Sequence, residues 1–441
     1  MKVSAEERRE FAAYVGIDWG DKKHDICLKA ADSDTLEQSV VEHSPEALVA
    51  WAEELRNRFG GQRIAVCLET QRGPIVSALL EQDIFELYPV NPQSLARYRQ
   101  AWSPSGAKDD PTDAQLALDV LLKHPDKLRP LRLQSPPMRA LCRLVEDRRR
   151  LVADRVRVTN RITAALKAYF PQVLEWFEDK GTRVFCDFVE RWPSAESARK
   201  TRATTLEAFF KEHNVRGAER IENRIAAIKG ATPLTTDEGV VAPSRLLVQA
   251  LIPQLRAIIL AIAAYDEEIG AVCGKLADFR IFKSFPSAAT VYAPRLLAAF
   301  GEDRERFANA SEVQRYCGVA PVTERSGKQH WVHWRFKSSA FLRQTFVEWA
   351  ALTIPRSYWA GEFYKRQRAR GATHQAALRA LAFKWARILF RCWKDSSTYD
   401  ESRYLKTLKV RQSPLITGEQ THAHSTRRSA SGRELAGFAV T

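Results

Sequence analysis

The sequence predicts an α/β domain followed by a largely all-α remainder, and three observations carry that reading. Short apolar runs alternate with amphipathic stretches across the first part of the chain. A segment holding three prolines, Leu128–Pro137, reads as a linker. From Met138 the apolar positions recur at three- and four-residue intervals, the helical period.

Tyr14–Asp18 and Asp25–Ala30 read as strands about a polar turn, and Thr35–Val41 as a third strand. Pro45–Arg58 has helical periodicity, Arg63–Glu69 is a strand, Gly73–Glu81 a helix, Ile84–Val90 a strand and Asp113–Leu122 a helix. Three strands followed by alternating helices and strands predict a mixed sheet domain over residues 1–127. Leu141, Leu144, Leu151, Val158, Ile162 and Leu166 then line one stripe of a long Arg-rich helix. More helical sequence follows, with a loop near Gly230–Gly239 and a second long helix from Ser244 to Leu276. Two long helices flanking an insertion predict an antiparallel helical stalk over residues 138–278. Residues 279–411 are basic and aromatic, and residues 412–441 read as a disordered tail.

Among 441 residues the hydrophobic share is 45% and the charged share 27%, an ordinary globular balance, but the formal net charge is +15. A polyanionic partner explains that excess, because each phosphate neutralised by Lys or Arg releases counterions. The seven cysteines are dispersed and form no CxxC pair, which argues against a zinc site or a disulfide framework and for a reducing, cytoplasmic setting. The opening MKVSAEERREF is charged throughout, unlike a signal peptide. The most apolar stretch, Leu246–Tyr265, is interrupted by Gln249, Pro253, Gln254 and Arg256; it reads as a buried helix and no membrane partner is expected. The basic cluster Arg148–Arg150 reads as a solvated helix face or a nucleic-acid contact.

Four carboxylates stand where chemistry is commonly placed. Asp18 ends the strand in VGIDWGDKKHD, Glu69 ends the strand in RIAVCLET, and Asp110 and Asp113 share one face at the start of a helix in AKDDPTDAQLALDVLL. Asp109 competes with Asp110 but is better placed as a helix cap. Acids gathered at one sheet edge repel unless divalent cations bind, and oxygen-only ligands favour magnesium. Such a site suits phosphodiester cleavage.

In the C-terminal region, Ser326-Gly327 sits on a polar turn with Arg325, Lys328, Arg335, Lys337 and Arg343 nearby in sequence. A hydroxyl among cations is suited to attack a phosphodiester, since the cations stabilise the developing negative charge. His330 and His333 flank the hairpin without acidic or Cys companions and are not expected to bind metal. Trp331 and Trp334 are candidates for stacking on unpaired bases, or for burying one face of a strand.

GIDWG also resembles the first phosphate loop of actin-like ATPases and sugar kinases, but the further Gly-rich loops that reading needs are not found, since Gly60-Gly61 precedes a strand. The whole pattern instead resembles the DEDD-motif transposases of insertion-sequence family one hundred and ten, the class guided by a bridge RNA. The matching segments are GIDWGDKKHDICL, CLET, KDDPTDA and GVAPVTERSGK followed by FLRQTF, in order from residue 14 to about 410. The resemblance implies a RuvC-like, ribonuclease-H-type first domain, a coiled-coil stalk, and a mainly helical transposase domain that contributes a serine. It further implies that Asp18, Glu69, Asp110 and Asp113 hold Mg2+, that Ser326 is the nucleophile, and that a tetramer of paired dimers acts on donor and target DNA with a structured guide RNA. Two departures stand out. Phe285-Pro286-Ser287-Ala288-Ala289 replaces the Pro-Gly-x-Gly turn usual in that family, and Lys328 occupies a position often held by a second Gly. The alternatives are a RuvC-like nuclease or junction resolvase that uses water, and a non-enzymatic nucleic-acid-binding scaffold.

Overall fold

The computed structural model describes residues 11–102, 110–327, 329–335 and 338–416. The chain divides into two compact units, one ending at Leu133 and one beginning at Gln134. The first is built on a five-stranded sheet: β1 Ala13–Trp19, β2 Lys23–Ala30, β3 Glu37–Glu42, β4 Ile64–Leu68 and β5 Phe85–Pro89. Their order is β3-β2-β1-β4-β5, with β1/β2 and β2/β3 antiparallel and β1/β4 and β4/β5 parallel. A mixed α/β architecture is therefore what the sequence predicts and what the chain adopts.

Both faces of the sheet are covered, which explains why β4 reads as a continuous apolar run. On one face, Val15, Ile17, Val66 and Leu68 pack with α1 (Pro45–Arg58) and α2 (Pro74–Leu80). α1 starts where the sequence signals a start: the Ser44 hydroxyl accepts from the Ala47 N–H at 3.1 Å, and Pro45 supplies the first helical residue. Pro92–Trp102 forms α3, a helix the sequence reading passed over, and Asp110–Lys123 forms α4, starting three residues before the expected Asp113. On the other face Ala65 and Cys67 pack with Leu116, Ala117 and Val120 of α4.

In the second unit the helix α5, Pro136–Tyr169, begins at Pro136 with Ser135 as its cap, so the last two prolines of the expected linker form its first turn. Helices α6–α10 occupy Gln172–Lys229, and α11 spans Glu238–Gly274, starting six residues before the expected Ser244. Met138, Leu141 and Val145 share a core with Ile269, Val272 and Leu276, while Val158, Ile162 and Leu166 share another with Val248, Leu251 and Leu255. The N-terminal end of α5 thus meets the C-terminal end of α11, and the two helices run antiparallel. α11 is long and apolar enough to cross a membrane by length and composition, and its most apolar stretch, expected to be buried, leaves Leu246 69% and Leu260 59% exposed. The helix continues through Pro253, whose missing backbone hydrogen bond is offset by burial of Leu251, Ile252 and Leu255, each worth roughly 2 kcal/mol.

The remaining elements are α12 Phe279–Lys283, α13 Tyr292–Phe300, α14 Ala310–Tyr316, β6 Val322–Ser326, β7 Gln329–His333, α15 Ala340–Thr353, α16 Tyr358–Ala369, α17 His374–Lys394 and α18 Glu401–Val410. The aromatic richness of this region is chiefly core. Trp349, Trp359, Trp385 and Trp393 are fully buried, and each indole N–H donates to an internal oxygen, those of Pro286, Tyr399, Thr353 and Gly301 respectively. Pro414–Ile416 add a 3-10 turn with Leu415 and Ile416 buried, inside the stretch read as a tail; residues 417–441 lie outside the described residues. At the segment replacing the glycine turn, Ser287 and Ala289 themselves take positive φ, +57° and +29°. These two non-glycine residues hold left-handed backbone at a steric cost of roughly 1 kcal/mol per residue.

Candidate active site

The first group of candidate residues lies at the ends of β1 and β4. Gly16 is the positional key. A Cβ there would collide with the Ala114 carbonyl and the Leu118 backbone, so α4 approaches β1 at a separation only glycine permits. Side chains two residues apart share a sheet face, so Asp18 faces the side that α4 covers. The register places Asp25 of β2 directly opposite Asp18, on the same face, and Asp25 is buried. Glu69 is the first residue past β4, one step beyond the Ile17–Leu68 pair and so level with Asp18. Asp113 lies in the first turn of α4, one residue before the Ala114 carbonyl that abuts Gly16, and is only 4% exposed.

Asp18, Glu69 and Asp113 are thus gathered at one sheet end. Among the described residues, however, no three His, Cys, Asp or Glu side chains close into a metal-holding group. Asp113 is held in an ion pair by Arg99 of α3, a partner the sequence reading did not anticipate. The side chain of Asp110 lies outside the described residues, and Asp109 lies there entirely. Burial raises the Cys67 thiol to about 12, with the Glu69 charge acting in the same direction.

Asp25 was missed by sequence reading. The available signal was its place in the alternation of KHDICLKA, two residues before Cys27 on the α4 face. Beside it, the imidazole of His24 is completely buried. Its Nδ1 accepts from the Gly20 N–H at 3.4 Å and its Nε2 lies 2.9 Å from Nδ1 of His43. Burial and, secondarily, His43 lower its pKa against an opposing pull from Asp25. A neutral His24 with the proton on Nε2 satisfies both bonds and ties down the loop after Asp18.

The second group lies on the β6–β7 hairpin. Ser326 pairs with Gln329 at its tip and is exposed, with Gly327 at φ +56° opening the two-residue loop. Arg325 is exposed beside it. Lys328 and Lys337 lie outside the described residues. Arg335 and Arg343 do not gather at the serine but brace the hairpin's base. Arg335 Nε donates to the Ala320 carbonyl at 3.3 Å, and Arg343 Nη1 donates to the Arg335 carbonyl at 3.1 Å and to the Ser338 hydroxyl at 2.9 Å. Trp334 has Arg379 at 3.9 Å and Arg343 at 5.4 Å from its ring centroid, whereas Trp331 is 43% exposed. His333 Nε2 lies 3.4 Å from a Glu324 carboxylate oxygen across the hairpin.

The sequence is similar to two transposase family models. One, DEDD_Tnp_IS110, described as a transposase, matches residues 15–171. The other, described as the transposase IS116/IS110/IS902 family, matches residues 279–365. The first covers the carboxylates and the second covers Ser326. Over 405 residues the chain is 28% identical to the "Mini-circle putative transposase for IS117" of Streptomyces coelicolor, covering 88% of this chain and 96% of that protein. It is 32% identical over 209 residues to "Putative transposase y4uE" of Sinorhizobium fredii, covering 46% of this chain and 57% of that protein. A third relative, the "Insertion element IS110 uncharacterized 43.6 kDa protein" of Streptomyces coelicolor, is 23% identical over 401 residues, 89% of this chain and 97% of that protein.

Proposed function

The chain belongs to the IS110/IS116 family of transposases, enzymes that cut and rejoin DNA, and on that premise we propose that it exchanges strands through a magnesium–carboxylate site and a covalent seryl-phosphate. The observation that carries the proposal is the position of Asp18, Glu69 and Asp113 at one sheet end, together with an exposed serine at a hairpin tip. In this reading residues 1–127 are a RuvC-like domain, 138–278 a coiled-coil stalk and 279–411 the transposase domain.

Asp18 and Glu69 on the sheet face that α4 covers, and Asp113 on α4 itself, offer the oxygen-only donors a hard divalent ion prefers, and Asp113 would exchange its Arg99 partner for the ion. Asp18, Glu69, Asp110 and Asp113 would hold magnesium, with Asp25 as a neighbouring carboxylate. Bound there, magnesium supplies Lewis-acid stabilisation of charge on the scissile phosphate. The Ser326 Oγ attacks phosphorus and forms a new P–O bond as a bridging P–O bond to deoxyribose breaks. The serine proton is passed to the departing oxygen or to solvent. The phosphodiester energy is kept in the seryl ester, so a hydroxyl of the second strand can reverse the step, releasing the serine. Arg325 and Lys328 would hold the strand at the tip. A structured bridge RNA selects donor and target DNA, and a cytoplasmic tetramer of paired dimers brings Ser326 of one subunit to the carboxylates of another; both features come from the family resemblance.

The test uses purified full-length protein with its bound RNA, DNA carrying the junction, and magnesium. Asp18→Asn or Glu69→Gln is expected to abolish strand cutting while leaving nucleic-acid binding in place. Ser326→Ala is expected to bind equally well yet give no protein–DNA adduct on a denaturing gel. Adduct from Ser326→Ala protein, or cutting by wild type without any adduct, would sink the seryl-phosphate step and favour hydrolysis by water.

A further inference from the structure

We propose that a cationic cavity in the second unit, walled by Arg148, Arg149 and Arg295, takes one backbone phosphate of the nucleic acid on which this enzyme acts. The proposal rests on the functional reading above for its ligand, but on separate residues for its site. The cavity lies among α5, α11, α13 and α15, with a volume of about 140 Å3, roughly ten times the ~10–15 Å3 that one water requires.

Arg295 is the reason to look for a ligand. It sits in an otherwise apolar helical turn and is only 6% exposed. The rings of Tyr292 and Phe341 flank its guanidinium at 5.3 and 4.9 Å, and Nη1 lies 3.6 Å from Glu348 Oε2. Its Nε and Nη2 are buried with no hydrogen-bond partner. Those two nitrogens form the edge by which arginine grips a phosphate with two parallel hydrogen bonds. Leaving buried donors unmet is costly, and an acceptor that entered the cavity and reached this edge would relieve that cost.

The charge balance suits a monoanion. Arg148 is neutralised by Asp266 through bonds of 2.5 and 2.9 Å. Arg149 and Arg295 share the single carboxylate of Glu348, each at 3.6 Å. Glu348 also accepts from Gln344 at 2.7 Å and from the Tyr292 hydroxyl at 3.4 Å. Two cations on one acid leave one positive charge uncompensated, the complement of a phosphodiester. Burial above all, against the opposing attraction of Glu348, depresses the Arg295 pKa, and a bound anion relieves that penalty. Arg149 and Glu348, with side chains 29% and 31% exposed, open the cavity to solvent. The Arg148–Arg150 run is therefore not a simple solvated face, since its first two members line the cavity while Arg150 pairs with Asp147.

The full-length chain is titrated with inorganic phosphate against chloride at matched ionic strength, and separately with a DNA duplex and a single-stranded RNA across a range of salt. Phosphate is expected to raise the wild-type Tm, and Arg295→Gln to cancel that rise. Should Arg295→Gln fail to fold, Arg149→Gln at the mouth serves. It is expected to weaken nucleic-acid binding ~3- to 10-fold and lower the slope of log affinity against log salt by about 1. Glu348→Gln is expected to strengthen binding, a direction that a merely structural role would not produce. A change confined to duplex assigns the phosphate to DNA, and one confined to RNA assigns it to the guide; either supports the site. Variants that alter phosphate binding alone would overturn the nucleic-acid ligand, and variants that alter nothing would overturn the site. Failure of the wild type to bind either nucleic acid would instead overturn the functional reading and this proposal with it.

Discussion

In the five-stranded sheet, Asp18 lies one residue from the end of a strand paired along both edges and pinned by a helix, whereas Ser326 ends one arm of a two-stranded hairpin exposed from Thr323 to Gly327. The sheet end is positioned by burial: Val15, Ile17, Val66 and Leu68 on one face and α4 on the other leave the strand no alternative register. The hairpin is braced at its base, where Arg335, Ser338 and Arg343 are hydrogen-bonded together. The comparison teaches that these two halves answer to different forces. In the proposed mechanism, carboxylates that would have to stay close despite mutual repulsion are set at a packed sheet end, while the serine that would have to meet a strand is set on an accessible ribbon.

The largest expected effect tests the packed half. Gly16→Ala should cost about 3 kcal/mol, at the upper end of overpacking penalties, because backbone of α4 and not a flexible side chain blocks the new methyl. Its urea midpoint should fall clearly, and Ser326→Ala should leave the midpoint unchanged. Equal midpoints for Gly16→Ala and wild type would break the claim that α4 is seated on β1.

A smaller effect separates serines within the hairpin region. Ser339 caps α15 by accepting from the Leu342 N–H at 3.3 Å, so Ser339→Ala should cost about 1 kcal/mol while retaining adduct formation. Ser326→Ala should do the reverse, keeping stability and losing adduct. Thermal melts and denaturing gels on the two variants decide the matter, and matching behaviour would erase the distinction between base and tip. Ser338 and Ser339 lie beyond the hairpin, and the Ser338 hydroxyl donates to the Arg335 carbonyl while that of Ser339 accepts from the Leu342 N–H.

The smallest effect is one of pH. His24 has a folded pKa below its ordinary 6.5, so the unfolded chain binds more protons as pH drops. Its contribution is fully present above pH 6.5 and is lost as pH falls from there toward the folded value. Urea midpoints measured downward from pH 7.5 should fall in that window for wild type and less for His24→Gln. An identical slope in both proteins would remove His24 as the cause.

Element type and order were legible because they rest on local rules. Short apolar runs mark the strands, and helical periodicity marks Pro45–Arg58. The motifs were legible for the same reason: GIDWGDKKHDICL, CLET, KDDPTDA and GVAPVTERSGK are contiguous strings of residues. Helix α3 was passed over although Leu95, Tyr98 and Trp102 of PQSLARYRQAW keep a helical spacing, so the signal was present but short.

What the sequence by itself determined about this protein is therefore its run of elements, its basic character and the carboxylate and serine motifs that mark a DNA-handling enzyme. The tertiary structure alone decided that Asp25 faces Asp18, that Arg99 pairs with Asp113, that four tryptophans form a core, and that Arg148 and Arg149 turn toward Arg295. Each of these joins segments separated in the chain. Whether a charge meets water, an opposite charge or an empty cavity is set by the register and packing of its neighbours, which no local pattern of residues records.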